Sequence, residues 1–168
     1  MSLNAPQPLN SGPPDARGFK IGVVTARWNA HITDQLEAGA LAELKKQGCT
    51  GIQAVRVPGA FEIPLAARAL IEAGCDGVVA LGCVIRGETT HYDYVCSSVE
   101  RGCTELQLRT GRPVGFGILT TENEAQALDR IGGKHGHKGV ECAQVVVEMI
   151  HLLSRIEHGA RKEISFNG

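Results

Sequence analysis

The chain has 168 residues, 43% of them hydrophobic, which is enough for one domain with a substantial core. Its 17 lysine and arginine residues nearly balance its 18 aspartate and glutamate residues, and this pattern argues against a nucleic acid or an anionic membrane as partner. Because no apolar stretch approaches the roughly 20 residues of a membrane span and no signal peptide is recognisable, we expect a cytoplasmic protein that binds small molecules or copies of itself.

The first 17 residues are rich in proline, serine, asparagine and glycine and show no hydrophobic periodicity. We predict that they form a flexible N-terminal arm and that residues 18–168 form a single domain. From residue 19 onward, short apolar runs alternate with longer segments of helical period, which is typical of β-α repetition around a parallel sheet. The runs predicted as strands span residues 19–26, 52–57, 77–85 and 114–120.

Segments with the period of an amphipathic helix separate and follow these runs. In the first, Ile32, Leu36, Ala40 and Leu44 repeat every four residues, and Gly48 is typical of a helix end. The last segment carries more apolar side chains than one face can hold, so we expect burial on two sides, partly against another subunit. The four helices after the first are predicted over residues 61–73, 90–110, 122–131 and 140–156.

This order of elements predicts an α/β sandwich, in which helices cover both faces of a parallel sheet. Since parallel strands point the same way, their carboxyl ends meet at one edge of the sheet, where such folds bind their ligands. We call this edge the carboxyl edge. The segments that follow the strands are therefore the candidates for a functional site.

The six cysteines include no CxxC pair, and four of them follow a glycine in or beside a predicted core element. This favours small buried apolar residues in a reducing compartment over disulfide bonds or a metal site. His135 and His137 form an HxH pair without a third ligand, so we expect no bound metal. The sequence also lacks a Walker loop and a dinucleotide fingerprint, so nucleotide-triphosphate and hydride chemistry are unsupported.

Aromatic side chains concentrate around the predicted carboxyl edge. Such side chains can enclose a flat ring, although filling of the core is the alternative explanation for any one of them. Five of the seven aromatic residues lie in or just after predicted strands: Trp28, Phe61, Tyr92, Tyr94 and Phe116.

Polar side chains follow the third strand within the segment GCVIRGETTHYDY, residues 82–94. Residues 86–91 lie between this strand and its helix, where free backbone N–H groups and the helix dipole favour an anion such as phosphate. Thr90 and Asp93 have the spacing of a capping box, so helix capping alone is an alternative. His91 lies where it could accept and donate protons near neutral pH, although a lone histidine is often structural.

Five motifs in a fixed order resemble the lumazine synthase family of riboflavin biosynthesis and extend over most of residues 19–150. They are ARWNAHIT, VPGAFEIPLAA, ALGCVIRGETTHYDYV, FGILTTENEAQALDR and GHKGVECA. The resemblance implies a flavodoxin-like three-layer sandwich with a four-stranded parallel sheet. It also implies condensation of 5-amino-6-(D-ribitylamino)uracil with 3,4-dihydroxy-2-butanone 4-phosphate, which yields 6,7-dimethyl-8-ribityllumazine, phosphate and water without a metal or an organic cofactor.

The resemblance further implies roles for residues that contact the uracil substrate. Trp28 would stack on the pyrimidine ring, at a position where the family more often has phenylalanine. Five further residues would complete this part of the site: Ala60, Phe61 and Glu62 at the ribityl chain, and Val84 and Ile85 at the ring edge through their backbone groups.

Other residues near the same strand end would bind the phosphate substrate. The resemblance implies that Glu88 and Thr89 bind the phosphate at the helix start, that Arg130 clamps it, and that His91 moves protons. Residues that the family contributes from the neighbouring subunit correspond to Phe116 and Lys138.

Two other functions stay open at this point. One is an enzyme of the same fold that dismutates lumazine to riboflavin, as archaeal riboflavin synthases do. The other is a flavin-binding or shell-forming protein without turnover, which the indole of Trp28 would suit. The presence of both the phosphate-site residues and His91 argues against a pure binding protein.

The family assembles as homopentamers or as icosahedral shells of twelve pentamers. The GGKHGHKG loop resembles the short form of shell-building members, so we expect a 60-subunit shell rather than a pentamer. A shell of this kind could enclose riboflavin synthase as a partner.

Overall fold

The computed structural model describes residues 15–165 of the chain, with side chains up to residue 159. Four strands form its central sheet in the order β2-β1-β3-β4, and every neighbouring pair is parallel. Each of these strands begins and ends within one residue of its predicted bounds. The strands are β1 (Lys20–Ala26), β2 (Gly51–Val57), β3 (Gly77–Ile85) and β4 (Val114–Thr121).

Helices cover both faces of the sheet, which confirms the predicted α/β sandwich. One core lies between the sheet and helices α1 and α5, and the other lies between the sheet and helices α2 and α3. A 3-10 turn over Ala60–Glu62 precedes α2. The helices are α1 (Ala30–Lys46), α2 (Ile63–Glu72), α3 (His91–Thr110), α4 (Glu124–Leu128) and α5 (Lys138–Ser165).

The central strands β1 and β3 are buried from two sides, whereas the edge strand β2 is mostly half-buried or exposed. Ile21 and Val23 of β1 face the α1 and α5 core, whereas Val24 faces the α2 and α3 core. In β3 the first seven residues are buried and only the last two are half-buried. A continuous apolar strand of this kind is typical of the centre of a parallel sheet, and its half-buried end marks the carboxyl edge.

The segment GGKHGHKG was predicted as a loop, and this was wrong. It forms a small antiparallel hairpin of β5 (Ile131–Gly133) and β6 (Gly136–His137). Gly132 and Gly136 have φ values of 114° and 75°, which glycine adopts at little cost. The strands are two and three residues long and have no apolar alternation, so the sequence pattern could not reveal them.

The last three residues of the predicted N-terminal arm contact the domain. Ala16 is fully buried, its N–H donates to the Gln47 carbonyl at 2.8 Å, and the His151 ring bonds to the Asp15 carbonyl. Residues 1–14 lie outside the described residues, so the division into arm and domain stays a prediction.

All six cysteines are free, as expected, and five of them are buried. Burial raises the pKa of Cys83 to about 11 and those of Cys103 and Cys142 to about 12. Within residues 15–165, no helix is long and apolar enough to cross a membrane. The same residues contain no cluster of three or more potential metal ligands from histidine, cysteine, aspartate or glutamate.

Candidate active site

Trp28 lies against the turn that follows β2. A Cβ atom on Gly59 would stand 3.3 Å from Cδ1 of Trp28 and 3.2 Å from Oε2 of Glu62, so the lack of a side chain at Gly59 leaves room for both groups. The Gly59 N–H donates to that Glu62 oxygen at 2.9 Å. Trp28 is 73% exposed. The structure therefore brings an exposed indole and a carboxylate together at this turn.

Asn29, which the sequence analysis missed, anchors the turn that carries Trp28. Its backbone is left-handed (φ 57°, ψ 48°), and among the described residues it is the one non-glycine residue with positive φ. Its Nδ2 group donates to the Cys83 carbonyl at 2.9 Å, which links the end of β1 to the end of β3. Asparagine tolerates this conformation better than most residues. The available signal in the sequence was an asparagine directly before a segment of helical period.

Core filling is excluded for most of the five aromatic residues that lie in or after the predicted strands. Trp28, Phe61 and Tyr94 are largely exposed, and Phe116 is 44% exposed. Tyr92 is half-buried, and the Arg86 guanidinium lies 4.2 Å from its ring centroid. These side chains leave apolar surface available to a ligand or a second subunit.

The loop between β3 and α3 presents unpaired backbone donors. Residues 87–91 are all exposed, and no described protein group accepts a hydrogen bond from the N–H of residues 87–90. The His91 N–H contacts Oγ1 of Thr89 at 3.4 Å. The loop ends at the N-terminus of a 20-residue helix, where the dipole adds to the attraction for an anion.

The predicted capping box of Thr90 and Asp93 is wrong. Thr90 has helical backbone angles (φ −69°, ψ −2°) and its side chain caps no N–H of α3. The Asp93 carboxylate instead bonds the Arg86 guanidinium, with distances of 3.1 and 3.4 Å. The Asp93 carboxylate thus binds a side chain instead of the helix start, so a capping box does not explain these polar residues.

Arg130 and Lys138 stand side by side at the base of the hairpin. The Lys138 N–H donates to the Arg130 carbonyl at 2.8 Å, and Nζ of Lys138 pairs with Glu141 at 2.6 Å. The Arg130 guanidinium donates to the Gln126 carbonyl at 2.7 Å. No hydrogen bond among the described residues joins Arg130 to Thr89.

Phe116 does not meet the other candidate residues within one chain. It pairs with Ala80 in the sheet, five residues before Thr121 at the end of β4. At about 3.3 Å per residue, Phe116 lies roughly 16 Å back from the carboxyl edge. Phe116 is therefore separated along the sheet from the candidate residues at the carboxyl edge.

Cys83 is the cysteine nearest to the carboxyl edge, at the third position from the end of β3. Its thiol is buried, and burial raises its pKa to about 11. The thiol therefore stays protonated at neutral pH and is a poor nucleophile. The exposed groups at this edge suit binding and proton transfer rather than covalent catalysis.

Comparisons with known proteins agree on one family. The family model described as 6,7-dimethyl-8-ribityllumazine synthase matches residues 18–154. A protein of that name from Bdellovibrio bacteriovorus is 62% identical over 138 residues, which cover 82% of this chain and 77% of the relative. Another of that name, from Kineococcus radiotolerans, is 50% identical over 141 residues, which cover 83% of this chain and 88% of the relative.

The chain belongs to the lumazine synthase family. The stretch matched to the lumazine synthase model contains all four strand ends and the start of α5, so the site described above lies within it. Membership of the lumazine synthase family implies small-molecule substrates and an oligomeric assembly.

Proposed function

We propose that this chain condenses 5-amino-6-(D-ribitylamino)uracil with 3,4-dihydroxy-2-butanone 4-phosphate to form 6,7-dimethyl-8-ribityllumazine, phosphate and water. The observation that carries the proposal is the match over residues 18–154, with 62% identity to a relative of that name. The reaction needs one site for a flat ring and another for a phosphate. The open indole of Trp28 and the free N–H groups of residues 87–90 supply groups of both kinds.

The uracil substrate is assigned to the groups around Trp28. The exposed indole offers a face for the pyrimidine ring to stack on. One oxygen of Glu62 already accepts the Gly59 N–H, and its second oxygen is available to a ribityl hydroxyl. The other residues assigned to this substrate are Ala60 and Phe61 at the ribityl chain, and Val84 and Ile85 at the ring edge.

The phosphate is assigned to the loop before α3. Glu88 would donate its backbone N–H, and Thr89 its N–H and hydroxyl, beside the helix N-terminus. Arg130 would supply the cation. Its guanidinium donates to a backbone carbonyl, and none of the described carboxylates pairs with it, so its charge is available to a phosphate.

The mechanism follows from the substrates. The amine of the uracil attacks the butanone carbonyl, so the nucleophile belongs to the substrate. Loss of phosphate, tautomerisation and ring closure then move protons, and the exposed His91 at the start of α3 is assigned to transfer them. Holding the two reactants together supplies the larger share of the acceleration, up to roughly 7–11 kcal/mol in favourable cases.

The site is proposed to lie between two subunits. Phe116 lies far from Trp28 within one chain and is partly exposed on the edge strand β4, so a neighbouring copy would contribute it. Lys138 would come from the same neighbour, and Arg130, whose carbonyl accepts the Lys138 N–H within one chain, would come with it. The exposed apolar side chains of Val145, Leu152 and Ile156 on α5 also favour subunit contacts. We propose a pentamer that builds a 60-subunit shell, able to enclose riboflavin synthase, and six free cysteines favour the reducing cytoplasm.

One assay tests the function against the two alternatives. The purified chain is mixed with both substrates, and lumazine fluorescence and released phosphate are followed together. Equal amounts of both products are expected. Riboflavin formed from lumazine alone would indicate the dismutase, and ligand binding without any turnover would indicate a binding protein. Sedimentation that finds only a pentamer would contradict the shell.

A further inference from the structure

We propose that Arg86 is a positioning residue that holds the phosphate-binding loop and His91 in place, and that it does not bind the phosphate itself. This inference rests on the proposed phosphate site at residues 87–90. Arg86 is the cation closest in sequence to that loop, so its role cannot be read from its charge alone. The contacts of its backbone and side chain decide between binding and positioning.

Arg86 is attached to the end of β4. Its N–H donates to the Thr121 carbonyl at 2.9 Å, which extends the β3–β4 ladder by one bond. Its Nε donates to Oε2 of Glu122 at 2.8 Å. The Glu122 backbone is held in turn, because its N–H donates to the side chain of Gln126 in α4 at 2.9 Å. On this side, Arg86 is therefore bound to residues whose backbone is held by β4 and α4.

Arg86 is also attached to the first turn of α3. Its two terminal nitrogens reach both oxygens of Asp93, at 3.1 and 3.4 Å. The guanidinium lies 4.2 Å from the ring centroid of Tyr92, which is within the range of a cation–π contact. Asp93 and Tyr92 follow His91 directly in the sequence, so fixing them fixes the start of the helix that carries His91.

These contacts clamp the loop at both ends. Residues 87–90 leave the sheet after Arg86 and lead into α3 at His91. The Arg86 side chain connects the two ends of this loop. Exposed ion pairs usually contribute little to stability, so the effect expected here is on geometry rather than on folding. A displacement of about 1 Å at a site of this kind can reduce the rate about 100-fold.

The two arginines near the site are therefore distinguished by their partners. The guanidinium of Arg86 is shared by two carboxylates and one aromatic ring. That of Arg130 donates to a backbone carbonyl and pairs with no described carboxylate. A phosphate would have to displace Asp93 or Glu122 to reach Arg86, whereas Arg130 is free to receive it.

The test compares Arg86→Gln and Arg86→Lys with Arg109→Gln as a matched control. Arg109 also pairs with a glutamate, at 3.4 Å, but at the opposite end of α3. For each Arg86 variant we expect the KM for the butanone phosphate to rise about tenfold and kcat to fall, with the KM for the uracil within about twofold. Lysine should not rescue, because a point charge cannot bind two carboxylates and stack on a ring. The control should match the wild type.

A double variant separates positioning from simple electrostatics. The network of Arg86, Asp93 and Glu122 carries charges of +1, −1 and −1, so its sum is −1. Arg86→Gln changes the sum to −2, and adding Asp93→Asn returns it to −1. If Arg86 positions the loop, the raised KM persists in the double variant; recovery of the wild-type KM would overturn the proposal.

The outcomes also distinguish this inference from the proposed function. If the wild-type chain forms no lumazine, the function itself is wrong. If it forms lumazine and Arg86→Gln keeps the wild-type KM for the phosphate substrate, only the role of Arg86 is wrong. Should Arg86→Gln fail to fold, Arg86→Lys keeps the charge and decides the question with the same KM comparison.

Discussion

At the scale of single residues, proton transfer and anion binding are assigned to different side chains of the candidate site. His91 is exposed at the first position of α3, and its ring makes no hydrogen bond to a described residue. Arg130 is anchored through the Gln126 carbonyl and has no carboxylate partner among the described residues. Replacing each residue should therefore change a different kinetic constant.

His91→Ala is expected to lower kcat by about 10²- to 10⁴-fold, the usual share of a general acid-base group. A measurable rate should remain, because the two substrates are still held together. Steady-state lumazine formation measures both the fall in kcat and the remaining rate. A folded His91→Ala variant with no activity at all would contradict this order of contributions.

Arg130→Ala is expected to raise the KM for the phosphate substrate by roughly 10- to 100-fold, because a hydrogen bond to a charged group contributes about 1.5–3 kcal/mol. The KM for the uracil should stay close to that of the wild type. Arg130→Lys is the matched control, since it keeps the charge without the planar fork, and it should give an intermediate KM. An unchanged KM in Arg130→Ala would place the phosphate elsewhere.

At the scale of elements, close packing of α1 on α5 positions two candidate residues, Trp28 and Lys138, which belong to two different sites in the proposed assembly. A Cβ atom on Gly139, in the first turn of α5, would lie 2.1 Å from the Leu36 carbonyl oxygen of α1. The two helices can approach this closely because residue 139 has no side chain. Lys138 precedes this contact and Trp28 precedes α1, so the contact sets where both side chains begin.

Gly139→Ala should therefore destabilise the protein by about 3 kcal/mol, since the backbone must move to admit the methyl group. Gly159→Ala in the same helix is the control. No atom lies within 4 Å of the position of its added Cβ, so it should be neutral or stabilise by up to about 1 kcal/mol. Denaturant unfolding of the two variants at one protein concentration measures the difference, and equal midpoints would refute the packing argument.

Ionisation of the buried cysteines should make the stability of the folded protein decrease at alkaline pH. Burial raises the pKa of Cys83, Cys103 and Cys142 from 9.0 to between about 11 and 12. Above pH 9 the unfolded chain ionises these thiols while the folded chain does not, so their contribution to stability is complete below pH 9 and is lost as the pH rises towards 12.

We accordingly expect the denaturation midpoint to fall between pH 8 and pH 10.5, measured with a reductant present. Lysine and tyrosine also titrate in this range, so Cys142→Ala is the control. It should show a smaller fall than the wild type. Parallel curves for the two proteins would show that the buried thiol does not contribute.

At the scale of the whole molecule, a site shared between subunits can be tested by complementation. Trp28→Ala and Phe116→Ala should each be impaired alone. In mixed oligomers assembled from equal amounts, a site receives wild-type residues from both neighbours with a probability of about one in four. Recovery of about a quarter of the wild-type activity is expected, and no recovery would place both residues in one subunit's site.

The order of the elements could be read from the sequence because it depends on local patterns. All four strands of the main sheet were predicted within one residue, and the central strands β1 and β3 are continuous apolar runs that are buried on both faces. The end of α3 at Gly111 was also predicted, because its left-handed backbone (φ 64°) favours glycine. The aromatic, carboxylate and threonine residues of the site lay in the turns after these runs.

Only the tertiary structure decided which of these residues meet. Asp93 leaves Thr90 uncapped, and its carboxylate binds the guanidinium of Arg86, which directly follows β3. Asn29 adopts a left-handed backbone where its side chain bonds the carbonyl of Cys83 on another strand. Such choices depend on groups in different elements, whose separation in space is set by the packing of the sheet and helices and not by any local pattern.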